Sequence, residues 1–583
     1  MLFSLYTLKG ADLPKTYYTA CPKVDILHWR EQHKDIVWLS EPMPLGKLVP
    51  LRDDFLNALR RKKGLFPRMR NLLGFVGGGQ DAKETAATFF GSVDSHVTND
   101  STILPTVEEK EQLLNLLRGR ILFPEEIRRA VAEQSLNFLS PLIVILQMLY
   151  LEGQLDIFPA LIDSKEGQRC YRCGEKDKII AAHCASCGDT QCRYCDNCTI
   201  MGQARTCQAL FAVSDLKEKV TKDIVLCLDF ELTNPQKDAF RGVREFISQD
   251  KPLGVVWAAC GAGKTEVSFG AIRETLARGG KVLYATPRKD VVIELEPRIR
   301  KAFPGVRVSA LYGGSDNKYQ EADMFIATTH QCLRFFRAFD LVVLDEADAF
   351  PYDGSEMLYL AVERARTFNG KLLYMSATPS QEMLNWTKSG RASKYTIPAR
   401  YHGYPLPEPY LVIDKNISYP TKSAKIALPQ TIIDFIIKSV EEEKAQVFVF
   451  VPTISSAEPV AELLRLKLAH KSYVISYSFA RDAEKDAKRK DFTEGRTDVF
   501  VTTSIMERGI TIPRANVLVL FADFMRIYSW RSLVQMAGRS GRTADYPRGK
   551  VWFAACTKSE AMYEAVQVIV RMNKEAMKKG YLK

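Results

Sequence analysis

From about residue 225 onward the chain alternates short, almost unbroken apolar runs with longer stretches of helical period. The runs are GVVWAA at 254–259, KVLYAT at 281–286, DMFIATT at 323–329, DLVVLDEAD at 340–348 and KLLYMSAT at 371–378. Strands apolar on both faces, each followed by a helix, predict a parallel sheet covered on both sides. A Pro-rich segment, PARYHGYPLPEPYLV at 398–412, interrupts the rhythm, which resumes with QVFVFVPT (446–453), SYVISYS (472–478), DVFVTTS (498–504) and NVLVLFAD (516–523). The expectation is two successive α/β domains, 225–398 and 426–583, joined by a linker at 399–425. Residues 1–165 mix strand-like runs with helical patterns and a Gly77-Gly78-Gly79 turn, and show no recognisable chemistry. The uncharged stretch 134–151 is interrupted by Asn137, Ser140, Pro141 and Gln147 and barely reaches spanning length, so it predicts a buried helix.

With 583 residues, several cores are needed, in about three or four domains. At 46% hydrophobic and 26% charged the composition excludes a disordered, fibrous or membrane-embedded chain. Lys and Arg number 81 against 69 Asp and Glu, a balance of +12 that attracts polyanions or anionic lipid without choosing between them. The opening MLFSLYTLKGADLPK has no basic segment ahead of its apolar residues, so no secretory signal is recognised and a cytoplasmic setting is expected.

The cysteines sharpen this picture. Of 13, eight fall between Cys170 and Cys207, in the order Cys170-x2-Cys173-Gly, Cys184-x2-Cys187-Gly, Cys192-x2-Cys195-x2-Cys198, then Cys207. Each CxxC turn can present two thiolates to a tetrahedral Zn²⁺, which predicts a zinc-binding domain at 166–210 in a reducing compartment. Two pairings stay open. Cys170 and Cys173 could join Cys195 and Cys198, leaving Cys184, Cys187 and Cys192 for a second ion completed by Cys207 or His183; or Cys170, Cys173, Cys184 and Cys187 could close one site in sequence. With no open coordination position the metal is expected to be structural, and separable from whatever the α/β domains do.

Those domains carry phosphate chemistry. Ala258-Ala259-Cys260-Gly261-Ala262-Gly263-Lys264-Thr265 follows an apolar run and opens a helix. Small residues such as Gly261, Ala262 and Gly263 let backbone N–H groups approach phosphate oxygens, Lys264 reaches the outer phosphates of ATP, and Thr265 can hold Mg²⁺. Asp345 and Glu346 stand at the carboxyl end of a buried strand, where ligands of open α/β sheets bind. Asp345 would complete the Mg²⁺ site and Glu346 would orient the attacking water.

Here the sequence resembles a superfamily-two helicase motor. The letters DEAD at 345–348, Ser376-Ala377-Thr378, the block from Thr502 to Ile510, and Gln535-Met536-Ala537-Gly538-Arg539-Ser540-Gly541-Arg542 occur in that family's order. The resemblance implies two tandem RecA-like domains, with Ser376 and Thr378 coupling hydrolysis to domain motion. It places Gln535 in the catalytic set and makes Arg539 and Arg542 arginine fingers from the second domain. Gln236 resembles the adenine-reading glutamine, and Thr511 stands where many relatives have an acid. Arg288, Thr328 and Thr329, then Thr453, Thr502 and Thr503, sit at strand ends where similar motors grip nucleic-acid backbones without reading bases.

A cysteine-rich element ahead of such a motor, with Arg400, His402, Pro405, Leu406 and Pro407 between the domains, is similar to the late competence protein ComFA family. PriA-like helicases share the linker pattern but place their cysteines in the carboxyl-terminal half, so motif order favours ComFA. That resemblance implies a cytoplasmic ATPase at the inner face of the membrane that draws single-stranded DNA through the competence channel. It further implies ComFC, DprA and the channel ComEC as partners, and leaves self-assembly open. A duplex-unwinding helicase of replication restart and a nucleotide-switched binding scaffold are the alternatives.

Overall fold

The computed structural model describes residues 1–8, 15–40, 42–60, 104–164, 167–215, 218–316, 318–419, 426–479, 481–503 and 512–583. The Gly77-Gly78-Gly79 turn, Ser504 to Thr511 and the last residues of the linker, 420–425, lie outside them.

Small antiparallel sheets come first. β1 (Ser4–Leu8) pairs with β2 (Thr16–Thr19) on one side and β3 (Ile36–Trp38) on the other. The uncharged stretch forms the helix Leu142–Leu151, buried as expected. Its polar interruptions have partners: buried Gln147 donates to Asp25 Oδ1 and to Tyr18 O, both at 3.1 Å, and Ser140 Oγ donates to Glu109 at 3.2 Å. Among the described residues no helix is long and apolar enough to cross a membrane.

β4 (Arg120–Leu122) and β5 (Asp156–Pro159) flank a strand, β10 (Ala209–Val213), that the chain supplies only much later. Between β5 and β10 run two hairpins, β6 (Leu161–Ser164) with β7 (Gly167–Cys170), and β8 (Ile179–Ala181) with β9 (Arg193–Cys195). These carry the cysteines. The chain then returns as β10 (Ala209–Val213) to pair with both β4 and β5. The cysteine segment is thus an excursion whose two ends are stitched into one sheet.

The α/β alternation produces the two expected RecA-like sheets. The first holds β11 (Leu253–Ala258), β12 (Val282–Thr286), β13 (Val308–Leu311), β14 (Met324–Thr328), β15 (Phe339–Asp345), β16 (Arg366–Ser376) and β17 (Ala392–Ile397). They are all parallel, in the order β13-β14-β12-β15-β16-β11-β17. The second holds β18 (Tyr410–Ile413), β19 (Gln446–Phe450), β20 (Ile475–Ser478), β21 (Val499–Thr502), β22 (Ala515–Leu520) and β23 (Val551–Ala555), in the order β18-β23-β22-β19-β21-β20.

The period-two geometry of a strand decides what each face of the first sheet covers. Val256, Tyr284, Val343 and Met375 point into a core that continues through Phe448, Phe500 and Phe553 of the second sheet. Their neighbours Val255, Leu283, Val342 and Tyr374 point the other way, into a core shared with Ile121, Phe123, Leu210 and the sulfurs of Cys170, Cys173, Cys195 and Cys198. This corrects the expectation of a separable metal element. Four of the cysteines help to cover one face of the first motor sheet, because a parallel sheet needs apolar cover on both sides.

Candidate functional site

β11 ends at Ala258 and delivers the phosphate loop at the carboxyl edge of the sheet. Gly261 and Gly263 have φ of 78° and 79°, a left-handed backbone that side chains disfavour. Gly263 caps the helix Lys264–Ala277, whose free N–H groups and dipole favour anions. Gln236 is buried against this loop. Its Nε2 donates to Ala262 O at 3.0 Å, and its Oε1 accepts from Thr233 N at 2.9 Å. A methyl group on Gly263 would meet that Nε2 at 2.4 Å.

Lys264 Nζ lies 3.9 Å from Asp345 Oδ1. The Tyr284 hydroxyl donates to Asp345 Oδ2 at 2.9 Å and also interacts with Thr265. Burial pushes the Asp345 carboxyl up, against the attraction of Lys264. Glu346 has a φ of 51°, which turns its side chain away from the strand direction, and Arg288 Nε lies 3.6 Å from its Oε2. Arg288, read from the sequence as a backbone grip, is here paired with Glu346. Thr265 and Asp345 supply hard oxygen donors on adjacent elements, a set that fits Mg²⁺. Tyr284, which joins them, carries no motif and was not singled out in the sequence.

The last acid of the DEAD run is a junction. Asp348 accepts from Ser376 Oγ at 2.7 Å and from Thr378 Oγ1 at 2.6 Å. Gln535 of the second half reaches it with Nε2 at 3.4 Å, while Cys260 of the phosphate loop donates its thiol to Gln535 Oε1 at 3.3 Å. A methyl on Gly538 would lie 2.5 Å from Cys260 Cβ, so the two halves touch backbone to loop. Arg542 Nε donates to Gly538 O at 2.9 Å, and Arg539 is buried beside it.

Arg400 fastens this junction from the linker. It is fully buried and donates to Cys260 O at 2.9 Å on one half, and to Gly538 O at 3.1 Å, Ser540 O at 2.7 Å and Gly541 O on the other. Burial lowers its guanidinium to about 10, with Arg542 nearby adding repulsion. His402 accepts Tyr404 N–H at Nδ1 and meets Gly541 O at Nε2, both at 3.1 Å, an arrangement that suits the neutral ring. Burial lowers its pKa accordingly.

The expected backbone-gripping hydroxyls follow the carboxyl ends of strands, yet all but that of Thr453 belong to buried residues. Thr328, Thr329, Thr502 and Thr503 are buried, and the Thr329 amide is bonded to Thr286 O at 3.0 Å. Thr453 caps the helix Ile454–Lys467, and its hydroxyl meets Tyr419 OH at 2.7 Å.

The cysteines divide into two quartets, each with its sulfurs all within 4.8 Å of one another. An inner quartet joins Cys170, Cys173, Cys195 and Cys198, and an outer one joins Cys184, Cys187, Cys192 and Cys207. Cys207 completes the second set, His183 does not, and the sequential pairing is absent. A zinc–sulfur bond of about 2.3 Å puts tetrahedral ligands about 3.8 Å apart. Sulfur separations of 3.7 Å for Cys170 and Cys198, 3.5 Å for Cys173 and Cys195, and 3.8 Å for Cys184 and Cys207 match that spacing, so the donors fit Zn²⁺. Burial opposes ionisation of Cys184, but the N–H groups of Cys187 and Ser186, together with the thiols of Cys187 and Cys207, lower its thiol to about 6.

A phosphate loop, a strand-end pair of acids and an arginine-bearing segment meeting them from a second parallel sheet define a superfamily-two helicase-like ATPase. Family models agree along the chain: "Type III restriction enzyme, res subunit" matches residues 229–381 and "Helicase conserved C-terminal domain" matches 427–544. "Competence protein ComFA N-terminal domain" matches 106–212. Competence protein ComFA of Bacillus subtilis is 38% identical over 415 residues, which cover 71% of this chain and 88% of that protein. Its counterpart in Streptococcus pneumoniae is 32% identical, covering 66% and 86%. The chain belongs to the competence protein ComFA family. A structure of RecG bound to a three-way DNA junction aligns at TM-score 0.42 and 22% identity, over 59% of this chain and 45% of that one.

Proposed function

We propose that the chain is an ATP-driven motor that moves along single-stranded DNA and powers its uptake during natural competence, at the inner face of the cell membrane. The observation that carries this reading is the interdomain junction. Asp348, Cys260 and Gln535 join the DEAD strand, the phosphate loop and the arginine-bearing segment through contacts that exist only when both halves are together.

Lys264 neutralises the outer phosphates of ATP. Thr265 and Asp345 would hold Mg²⁺, which supplies charge neutralisation at the transferring phosphoryl group. Glu346 orients the attacking water, with Arg288 keeping its carboxylate in place. Arg539 and Arg542 complete the charge balance from the second half, so hydrolysis depends on closure. Gln236 braces the loop, and reading adenine would require its amide to exchange its bonds to Ala262 O and Thr233 N for the base. Each half holds the DNA backbone through the strand-end segments that carry Thr328–Thr329, Thr453 and Thr502–Thr503. Both cysteine quartets hold Zn²⁺ as structural ions, and the DNA channel ComEC with ComFC and DprA are the proposed partners.

The test is ATP turnover with single-stranded DNA, duplex DNA and no DNA. Stimulation by single strands, and a binding constant that falls about linearly with salt in log-log form, is expected. Lys264→Ala abolishes turnover; Glu346→Gln abolishes it while retaining ATP; Arg542→Ala binds ATP and turns it over about 10³-fold more slowly. Equal turnover with and without DNA overturns the motor, and displacement of a duplex strand would favour an unwinding helicase instead.

A further inference from the structure

The first cysteine knuckle is tied to the turn that follows β14. Arg172, between Cys170 and Cys173, is fully buried and lies 4.7 Å over the Phe123 ring. It donates Nη1 to Met201 O at 2.9 Å and Nη2 to Glu126 Oε1 at 3.1 Å. The same carboxylate oxygen accepts Arg334 Nε at 3.3 Å, while the other caps the helix Pro124–Glu133 by accepting Phe123 N–H at 3.1 Å. Arg334 also donates to Gln331. A parallel link runs through Arg364, which gives Nη1 to Tyr171 O and Nη2 to Leu333 O, each at 3.1 Å. Two consecutive knuckle residues, Tyr171 and Arg172, are therefore bonded through one carboxylate and three guanidiniums to residues 331–334.

That turn continues directly from Thr328, Thr329 and His330. The linkage is short, and each member is fixed by more than one partner. Glu126 is shared by two arginines and a backbone amide, and half-buried Arg364 holds a carbonyl on each side, Tyr171 O and Leu333 O. Buried charge pairs are costly to break from one side, so the turn cannot shift without uncovering a charge. The inner sulfurs fix the knuckle from behind, since Cys170 and Cys173 close on Cys195 and Cys198.

We infer that the inner cysteine centre sets the position of the 328–334 turn, and with it the first half's hold on single-stranded DNA. Arg172, Glu126, Arg334 and Arg364 act as positioning residues. The second clause rests on the motor reading above; the first stands on the bonded linkage alone.

The experiment uses the full zinc-loaded chain and the variants Arg334→Gln, Glu126→Gln and Arg334→Lys. ATP turnover is titrated with a synthetic oligothymidylate, and amide hydrogen exchange at 328–334 is measured without DNA, before and after stripping the metal with a chelator. Arg334→Gln should keep the wild-type zinc content and, without DNA, turnover within about twofold of wild type. It should raise the half-stimulating oligothymidylate concentration by about three- to thirtyfold and speed exchange at 328–334. Arg334→Lys, which keeps a charge beside Glu126, should fall between it and wild type. Stripping metal from the wild type should speed exchange at the same amides, with little further change in Arg334→Gln. Exchange at 328–334 that ignores both the chelator and Arg334→Gln overturns the linkage, even if Glu126→Gln fails to fold. Faster exchange with an unchanged half-stimulating concentration overturns the assignment to DNA grip. A wild type indifferent to oligothymidylate overturns the motor reading, and exchange then still decides the linkage.

Discussion

The knuckles Cys170–Gly174 and Cys184–Gly188 have the same backbone and different surroundings. In each, the glycine N–H returns to the first cysteine carbonyl, at 2.9 Å for Gly174 and 2.8 Å for Gly188, and the first cysteine N–H donates two residues past the second, to Glu175 O at 2.8 Å or Asp189 O at 3.0 Å. Both glycines are left-handed, with φ of 81° and 73°. Yet the sulfurs of the first knuckle belong to the core under the first motor sheet, whereas Cys184, Cys192 and Cys207 form an island with Cys187 against it. The local motif fixes the ligand geometry, and the sheet it leans on fixes what losing the ligand costs.

The largest effect should come from Cys170→Ala with Cys173→Ala. Structural zinc contributes about 10 to 16 kcal/mol in small peptides, and here that energy also holds the cover of a motor sheet, so soluble protein should lose more than about tenfold in ATP turnover along with its inner zinc. Turnover within about twofold of wild type would restore the separable element that the sequence suggested. Cys184→Ala with Cys187→Ala should instead lower the metal content from two to about one per chain, expose the 184–192 region to protease, and leave turnover within about twofold. A loss of turnover matching the inner variant would erase the distinction.

Arg364→Met should cost about 1 to 3 kcal/mol in unfolding of the first half, because the carbonyls of Tyr171 and Leu333 lose their shared donor. Denaturant midpoints indistinguishable from wild type would show the inner junction to be soft. The smallest effect is the most direct comparison. Gly174→Ala and Gly188→Ala should each cost about 1 kcal/mol for the left-handed backbone. Gly174→Ala should cost more, since its methyl would lie 3.3 Å from Leu360 Cδ2 while nothing lies within 4 Å at Gly188. Equal thermal shifts would count against a tight inner junction.

Much of this was legible in the chain. Nearly continuous apolar runs such as LGVVWA and FDLVVLD, each followed by a helical pattern, read as buried parallel strands, and the phosphate loop and DEAD acids then fall at strand ends. The sequence could say that both faces of the first sheet are covered, but not by what. Cover is supplied by Phe123 and Cys170 from outside the α/β repeat, and periodicity carries no record of distant partners. The ligand pairing was illegible for the same reason, since Cys207 reaches the outer set only because β10 returns to β4 and β5. Glu126 and Arg334 lie 208 residues apart, and neither sits in a motif. Strand-end threonines were easy to list, but the exposure of a hydroxyl depends on local packing, and here most belong to buried residues.

Arg400 has a consequence for reversibility. The contact that fastens the phosphate loop to the arginine-bearing segment is made of a guanidinium and four main-chain carbonyls, with no carboxylate among its bonded partners in the described residues. Water can replace each of those bonds when the halves part, so each is worth about 1.5 to 3 kcal/mol net, as for hydrogen bonds to a charged group. A carboxylate in place of the carbonyls would bind more tightly and release more slowly. The clasp therefore specifies one closed geometry without making it hard to leave, which is the property a machine that must reopen after every turnover requires.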